Sequence, residues 1–400
     1  MAAKHPDEIG EDWDPSTPET RADYPGVLKD LRANAPVAWS HKWGGFITLT
    51  RYADVSEASR DPARFTATKM TVIPSSPRKG LPRLPLQRDP PDSERYRKAL
   101  NPFFKENKIR TMEPRLMALA SRLLGEMQKT PENASFSRGF AEPFTQGALG
   151  VLLGLDEDEA LEVGRLSHAY VEAVQGEDLP RAGALSREVD GFAWRLVENR
   201  QAALRDPETD IVSGLIATPP KDGAFDAEEL AGMVRLMLIG GHVVPRNFLC
   251  TVAWHMATNT AHVALLRRDE TAWKAFIEEL LRFYPSNQAL VRVATQGMKM
   301  GGRNIEKGCP VALNFLSANR DEDVFERADE FIPDRSPNRH LAFGIGPHMC
   351  LGVALAKLQT RVTLAALLAA PGLSVVGEPI WARWTEYGIT DLSLDLRAAR

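Results

Sequence analysis

The sequence predicts a mostly α chain with small β-sheets, one large domain over residues 21–400 behind a polar lead at 1–20. Three observations carry this reading. Apolar residues recur at helical spacing through most of residues 109–199 and again from Asp226 to about Ala257. Segments that alternate like strands are short and few, near residues 37–49, 291–295 and 311–315 and in the C-terminal tail. Finally, 400 residues with 44% hydrophobic content are ample for a large buried core.

Composition narrows the function classes. A formal net charge of -4, with 49 basic against 53 acidic residues, leaves no footprint for nucleic acid. The cysteines are Cys250, Cys309 and Cys350, a sparse odd set that argues against a disulfide framework and for a reducing compartment. Met1 to Asp14 is charged and lacks the apolar core of a signal peptide, and no later stretch offers eighteen uninterrupted apolar residues. The expectation is a cytoplasmic protein with no membrane partner, in which the sequon Asn133-Ala134-Ser135 goes unused.

Taken in order, Tyr24 to Asn34 reads as a short helix. Val37-Ala38-Trp39-Ser40 and Phe46-Ile47-Thr48-Leu49 flank Trp43-Gly44-Gly45 and make a hairpin. Residues 51–60 are helical, whereas residues 66–91 hold Pro74, Pro77, Pro82, Pro85, Pro90 and Pro91 and form a long loop. That loop carries Lys69, Arg78, Lys79, Arg83 and Arg88, and no acid before Asp89. An anionic substrate or plain solvated charge would account for them; solvated charge is the expectation. Ser93 is an able N-cap for the helix that follows Asp89-Pro90-Pro91 and contains Arg97. Amphipathic helices succeed one another from Ile109 to Asn199, with breaks near Pro131, Pro143 and Pro180.

Asp226 to Glu229 has the form of a capping box, and Phe225 can staple to Leu230. The helix so opened carries Leu230, Met233, Val234, Met237, Leu238, Gly241, Val244 and Phe248 on one stripe. The small pair Gly240-Gly241 leaves room for something flat. Pro245 lacks an N–H for the carbonyl of Gly241, which predicts a kink between Gly240 and Pro245. Further on, Phe276 to Phe283 is helical, with Glu279 and Arg282 three apart on one face. Val291 to Thr295 and Val311 to Phe315 read as strands, and a hairpin turning at Tyr387-Gly388 closes the chain.

The most specific stretch is Phe343-Gly344-Ile345-Gly346-Pro347-His348-Met349-Cys350-Leu351-Gly352, which leads into a helix from Val353. A cysteine at the positive end of a helix is expected to have its thiol pKa lowered, and a thiolate so held can ligate iron. Gly344 and Gly346 permit tight turning, and Gly352 leaves a flat cofactor unobstructed. A zinc site from His340, His348 and Cys350 fails on ligand count and spacing.

This stretch matches F-G-x-G-x-H-x-C-x-G at every fixed position, and the chain resembles the cytochrome P-450 family, in its soluble bacterial haem-thiolate class. The resemblance extends from about residue 20 to 396 through Asp89-Pro90-Pro91, the Glu279/Arg282 helix and Phe331-Ile332-Pro333-Asp334-Arg335. It implies haem b between the central helix and the cysteine loop, with Cys350 as the iron ligand. Arg97, Arg292 and His348 would meet the propionates, and Phe343, Gly344, Gly240 and Gly352 would line the cofactor. Ser93 stands where the family has histidine. By the same resemblance residues 66–91 cover the distal face, residues 168–185 form a lid, Glu279 and Arg282 make a buried lock, and the C-terminal hairpin tip reaches the substrate pocket.

The central helix departs from the family's [AG]-G-x-[DE]-T pattern. Gly240-Gly241-His242 fits, but Val243 holds the acid position and Val244 that of the alcohol. Valine neither donates nor accepts a proton. The Gly241 carbonyl freed by Pro245 could hold a water in their place, and His242 is expected to point away. The implied activity is monooxygenase-type oxidation, hydroxylation or oxidative coupling, of a small organic molecule. It uses dioxygen and electrons from a separate ferredoxin-type donor and its reductase, on a monomer. Arg95, Lys98, Lys357 and Arg361 are the candidate basic patch for that donor. Peroxide-driven or electron-independent chemistry, and a haem-bearing scaffold without activity, stay open as alternatives.

Overall fold

The computed structural model describes residues 11–75, 80–129 and 135–397. Helices α1 (Pro18–Ala22) and α2 (Tyr24–Asn34) lead to β1 (Val37–Ser40) and β2 (Phe46–Leu49), which pair antiparallel as the hairpin pattern requires. Trp13, within the stretch read as a polar lead, is buried and meets Phe46 and Trp384 edge-on. After α3 (Tyr52–Arg60) and β3 (Phe65–Thr66) comes the proline-rich loop, of which Pro77, Arg78 and Lys79 lie outside the described residues.

The helical body follows as α4 (Asp92–Phe104), α5 (Glu106–Arg110), α6 (Glu113–Lys129), α7 (Glu142–Leu153), α8 (Glu157–Gln175), α9 (Leu179–Ala202) and α10 (Ile211–Ala217). A short π turn over Ser137–Ala141 runs into α7. The breaks expected at Pro143 and Pro180 fall at the first turns of α7 and α9, where a missing N–H costs nothing. Pro131 and the Asn133-Ala134 part of the sequon lie outside the described residues. The expectation for Ser93 is corrected. Helix α4 starts at Asp92 after Pro91, and the Ser93 hydroxyl is buried with no partner among the described residues.

Next come α11 (Ala227–Gly240) and α12 (Val243–Thr258), the two halves of the central helix, then α13 (Thr260–Arg268) and α14 (Trp273–Phe283). Asp226 and Glu229 form both bonds of the capping box. Strands β4 (Ala289–Ala294), β5 (Met298–Met300), β6 (Arg303–Ile305) and β7 (Pro310–Asn314) precede α15 (Phe315–Ala318), α16 (Val353–Ala369), β8 (Ser374–Trp381) and β9 (Ile389–Asp395). The main sheet has the order β1-β2-β7-β4-β3, and β5-β6 and β8-β9 are separate two-stranded ribbons.

The largest core cluster joins α6, α7, α9, α11, α12 and α16, so α12 and α16 run through the middle of the apolar body. The 32-residue span from Ala227 to Thr258 is long and apolar enough to cross a membrane, yet 67% of its most apolar window is buried inside the protein. Two buried groups hold the segment that delivers the cysteine loop. Glu279 and Arg282 are fully buried and paired by two bonds of 2.8 Å each. Arg282 also donates to the carbonyls of Asn319, Ala328 and Glu330, while Glu279 accepts from the Ile332 amide, Arg335 and Asn338. Asn319 then takes the Leu341 amide at 2.6 Å, two residues before Phe343.

Candidate functional site

A cavity of about 400 Å³ separates the kinked centre of α11 and α12 from the loop before α16. Gly240, Gly241, Val243, Val244 and Pro245 line one side; Phe343, Gly344, His348, Cys350 and Gly352 line the other. About a hundred positions separate the two groups along the chain, and the fold brings them face to face.

The kink has a local cause. The Gly241 amide still reaches the Met237 carbonyl, and the Arg246 amide reaches that of His242, but Pro245 offers nothing to the Gly241 carbonyl between them. Helix α11 therefore ends at Gly240 and α12 restarts at Val243. A Cβ at Gly240 would meet nothing within 4 Å, so the wall there is open to a flat group. His242 turns away from the cavity, as expected, with Nδ1 3.0 Å from the Thr145 hydroxyl. Its pKa falls to about 3, because burial disfavours the cation and Arg246 and His168 repel it.

On the opposite wall, Gly344 and Gly346 have φ of +67° and +78°, and a Cβ on Gly346 would stand 2.8 Å from the Ser59 carbonyl oxygen. The turn needs glycine there. The Cys350 amide donates to the Phe343 carbonyl at 2.9 Å, which closes the loop and presents Sγ to the cavity. Cys350 ranks as exposed because it faces that opening, although protein encloses it. The expected lowering of its pKa is corrected. Burial pushes the free thiol up, against the Gly352 amide and Arg97. A metal cation at Sγ would reverse that balance.

The three expected propionate partners converge from α4, β4 and the cysteine loop. Arg97 lines the cavity and donates to the Met349 carbonyl at 2.9 Å. Arg292 lies behind the lining, its pKa pulled down to about 10 by burial with Asp89 opposing. His348 Nε2 lies 3.0 Å from Asp89 Oδ1; burial lowers its pKa, Arg292 and Arg97 add to the effect, and Asp89 opposes it. Two guanidiniums and an imidazole against one carboxylate leave an excess of donors, which suits a group bearing its own carboxylates. With the open wall at Gly240, the residues fit haem.

Two expectations about charge change. Arg95 pairs with Glu229 and Asp222, Lys98 with Glu94, Lys357 with Glu278, and Arg361 with Glu113 and Glu270. Each of these cations thus has a carboxylate partner, on its own helix for Lys98 and from other segments for the rest. Arg83, expected to be solvated, instead lines the cavity. Other residues had no signal in the sequence. Glu386, at the hairpin tip with Trp384 and Thr385, lines the cavity and accepts from Asn247 Nδ2 at 2.7 Å. Asn247 Oδ1 accepts from Arg246, whose Nε is 3.6 Å from the partly exposed Glu142. A chain of polar side chains thus runs from the surface to the cavity.

A thiol loop opposed to a broken, glycine-bearing helix defines the class of haem-thiolate oxidoreductases. The family profile described as Cytochrome P450 matches residues 271–374. Nocardicin C N-oxygenase of Nocardia uniformis subsp. tsuyamanensis is 30% identical, over 84% of this chain and 85% of that one. Beta-dihydromenaquinone-9 omega-hydroxylase of Mycobacterium bovis is 31% identical, over 92% of this chain and 75% of that one. A solved cytochrome P450 from Chondromyces apiculatus superposes with a TM-score of 0.87 at 23% identity, covering 98% of this chain and 99% of that one. The chain belongs to the cytochrome P450 family, whose cofactor is haem, and is a monooxygenase-type oxidoreductase.

Proposed function

We propose that Cys350 is the thiolate ligand of haem b, that Arg97, Arg292 and His348 hold its propionates, and that the space toward α11 and the hairpin tip is the substrate chamber. The one cavity shared by Cys350 with Gly240, Gly241, Val243, Val244 and Pro245 carries this reading. Haem held there by Cys350, Arg97, Arg292 and His348 would supply oxygen-activating redox chemistry, tuned by the thiolate. Val243 and Val244 keep that side of the chamber apolar and free of protonatable groups. The Gly241 carbonyl, left without an amide by Pro245, holds a water there. Glu386, fixed by Asn247, is the acid of the chamber, and Arg246 and Glu142 connect it toward solvent.

The reaction is hydroxylation or oxidative coupling of a small, largely apolar molecule by a monomeric cytoplasmic enzyme, fed by a ferredoxin-type donor and its reductase. The absence of an acid and alcohol at Val243 and Val244 favours a second reading, peroxide-driven turnover. Comparing product formation from a library of small apolar molecules, with a ferredoxin system or with hydrogen peroxide, separates the two. Product only with dioxygen and the donor is expected. Equal or faster product with peroxide overturns that in favour of the second reading, and no product with either leaves the non-catalytic scaffold.

A further inference from the structure

Arg83 and Arg97 are cavity-lining guanidiniums that no carboxylate answers among the described residues; Arg97 belongs with Arg292 and His348 to the proposed propionate group, whereas Arg83 sits on the loop held to α11. The loop that bears it is clamped. The Leu84 amide donates to the Gly232 carbonyl at 3.3 Å, and a Cβ on Gly232 would press to 2.8 Å from the Pro82 carbonyl oxygen, so only glycine admits the loop this close to α11. Arg235 donates to the Leu81 carbonyl and pairs with Asp190, which in turn accepts from the Leu81 amide. The Gln87 side chain accepts from the Arg83 amide at 2.8 Å, and the Gln87 amide returns a bond of 2.9 Å to the Arg83 carbonyl. Both flanks of Arg83 are held, so its guanidinium is presented to the cavity by a fixed backbone.

The cavity it lines is largely apolar, with Leu86, Leu152, Leu236 and Ile239 among the other lining residues. The groups that bear on it electrostatically are the Tyr170 hydroxyl and the like charge of Arg235; no carboxylate is among them. Burial accordingly lowers its pKa, yet a guanidinium cannot lose its proton in this range. A charge so enclosed is costly without an anion, and a planar fork of donors matches a carboxylate in both shape and charge. Glu386 on the same cavity is engaged by Asn247. Thr71 and Ser286 add buried hydroxyls on the lining with no partner among the described residues.

We infer that the substrate is an apolar molecule bearing a carboxylate, which Arg83 receives at the loop side of the chamber while the apolar remainder extends toward α12 and Cys350. This rests on the chamber being the substrate site of a haem-thiolate enzyme.

The test is calorimetric titration of the haem-loaded full chain. The probes are straight-chain acids from hexanoic to hexadecanoic and a set of arylpropanoic acids, each beside its methyl ester. At neutral pH at least one acid is expected to bind about tenfold or more tightly than its ester, as a charge-assisted pair requires. Arg83→Gln should erase that preference while leaving ester binding intact, and Arg83→Lys should restore part of it. Acids no tighter than esters throughout the panel overturn the inference, even if no variant folds. So does an acid preference that survives in folded Arg83→Gln. The reduced carbon monoxide spectrum of the same samples reads the haem-thiolate assignment separately. Loss of the thiolate band with retained acid preference would defeat that assignment, and with it the inference that the acid is a substrate.

Discussion

Glu279→Ala should weaken the whole proximal side, and the size of the effect follows from what the carboxylate holds. In the native protein it faces Arg282 and Arg335, both buried, and accepts hydrogen bonds from four residues. Deleting it strands two buried guanidiniums. Loss of one partner of a buried ion pair costs about 3–5 kcal/mol. An unfolding entropy of about 2.1 cal/mol/K per residue gives about 0.84 kcal/mol/K for 400 residues, so the melting temperature should fall by about 4–6 °C. The Asn319 bond to the Leu341 amide depends on the same clamp, so haem retention should fall in parallel. The double variant Glu279→Leu/Arg282→Met removes one of the stranded charges and should melt higher than the single variant. Circular dichroism melts, with the haem-to-protein absorbance ratio, read both. A single-variant shift below about 1 °C, or a double variant melting lower than the single, would refute the reasoning.

Two further outcomes concern the kink and acid stability. Pro245→Ala restores an N–H to the Gly241 carbonyl; tight coupling in wild type should give way to hydrogen peroxide release during turnover, and unchanged release sinks the carbonyl-water role. Burial would raise the pKa of Glu278, but the bonds from His340 and Lys357 win and bring it down to about 2 from 4.5. A depressed carboxylate stabilises the fold above its unfolded pKa, and this contribution is lost as pH falls from about 4.5 toward 2. Lys357→Met should raise the folded pKa back toward 4.5, so melting curves taken stepwise through acid should show a smaller loss that is complete at higher pH. Superimposable acid arms would contradict it.

The parts of the molecule set by local chemistry were legible from the residues. The capping box at Asp226, the hairpin of β1 and β2, the glycine turns before Cys350 and the break imposed by Pro245 each follow from nearest neighbours. What depended on distant partners was not. Arg83 looks solvated in a proline-rich loop until Gly232 and Arg235 draw that loop onto α11. Arg95, Lys357 and Arg361 look like free cations of a docking patch until Glu229, Glu278 and Glu113 from other helices meet them. Cys350 illustrates a third limit, since a helix start raises the expectation of an acidic thiol, but burial outweighs the Gly352 amide and Arg97. Glu386 has no motif at all, and its role emerges only from a hairpin tip reaching Asn247.

Ligation of the haem by the Cys350 thiolate is tested most directly by the absorption spectrum of the reduced, carbon monoxide-bound protein, in wild type and in Cys350→Ser loaded with haem. Wild type should give the strongly red-shifted Soret band of a thiolate-ligated haem, and the variant should bind haem without it. Haem-loaded wild type lacking the band, or a variant retaining it, would contradict the account.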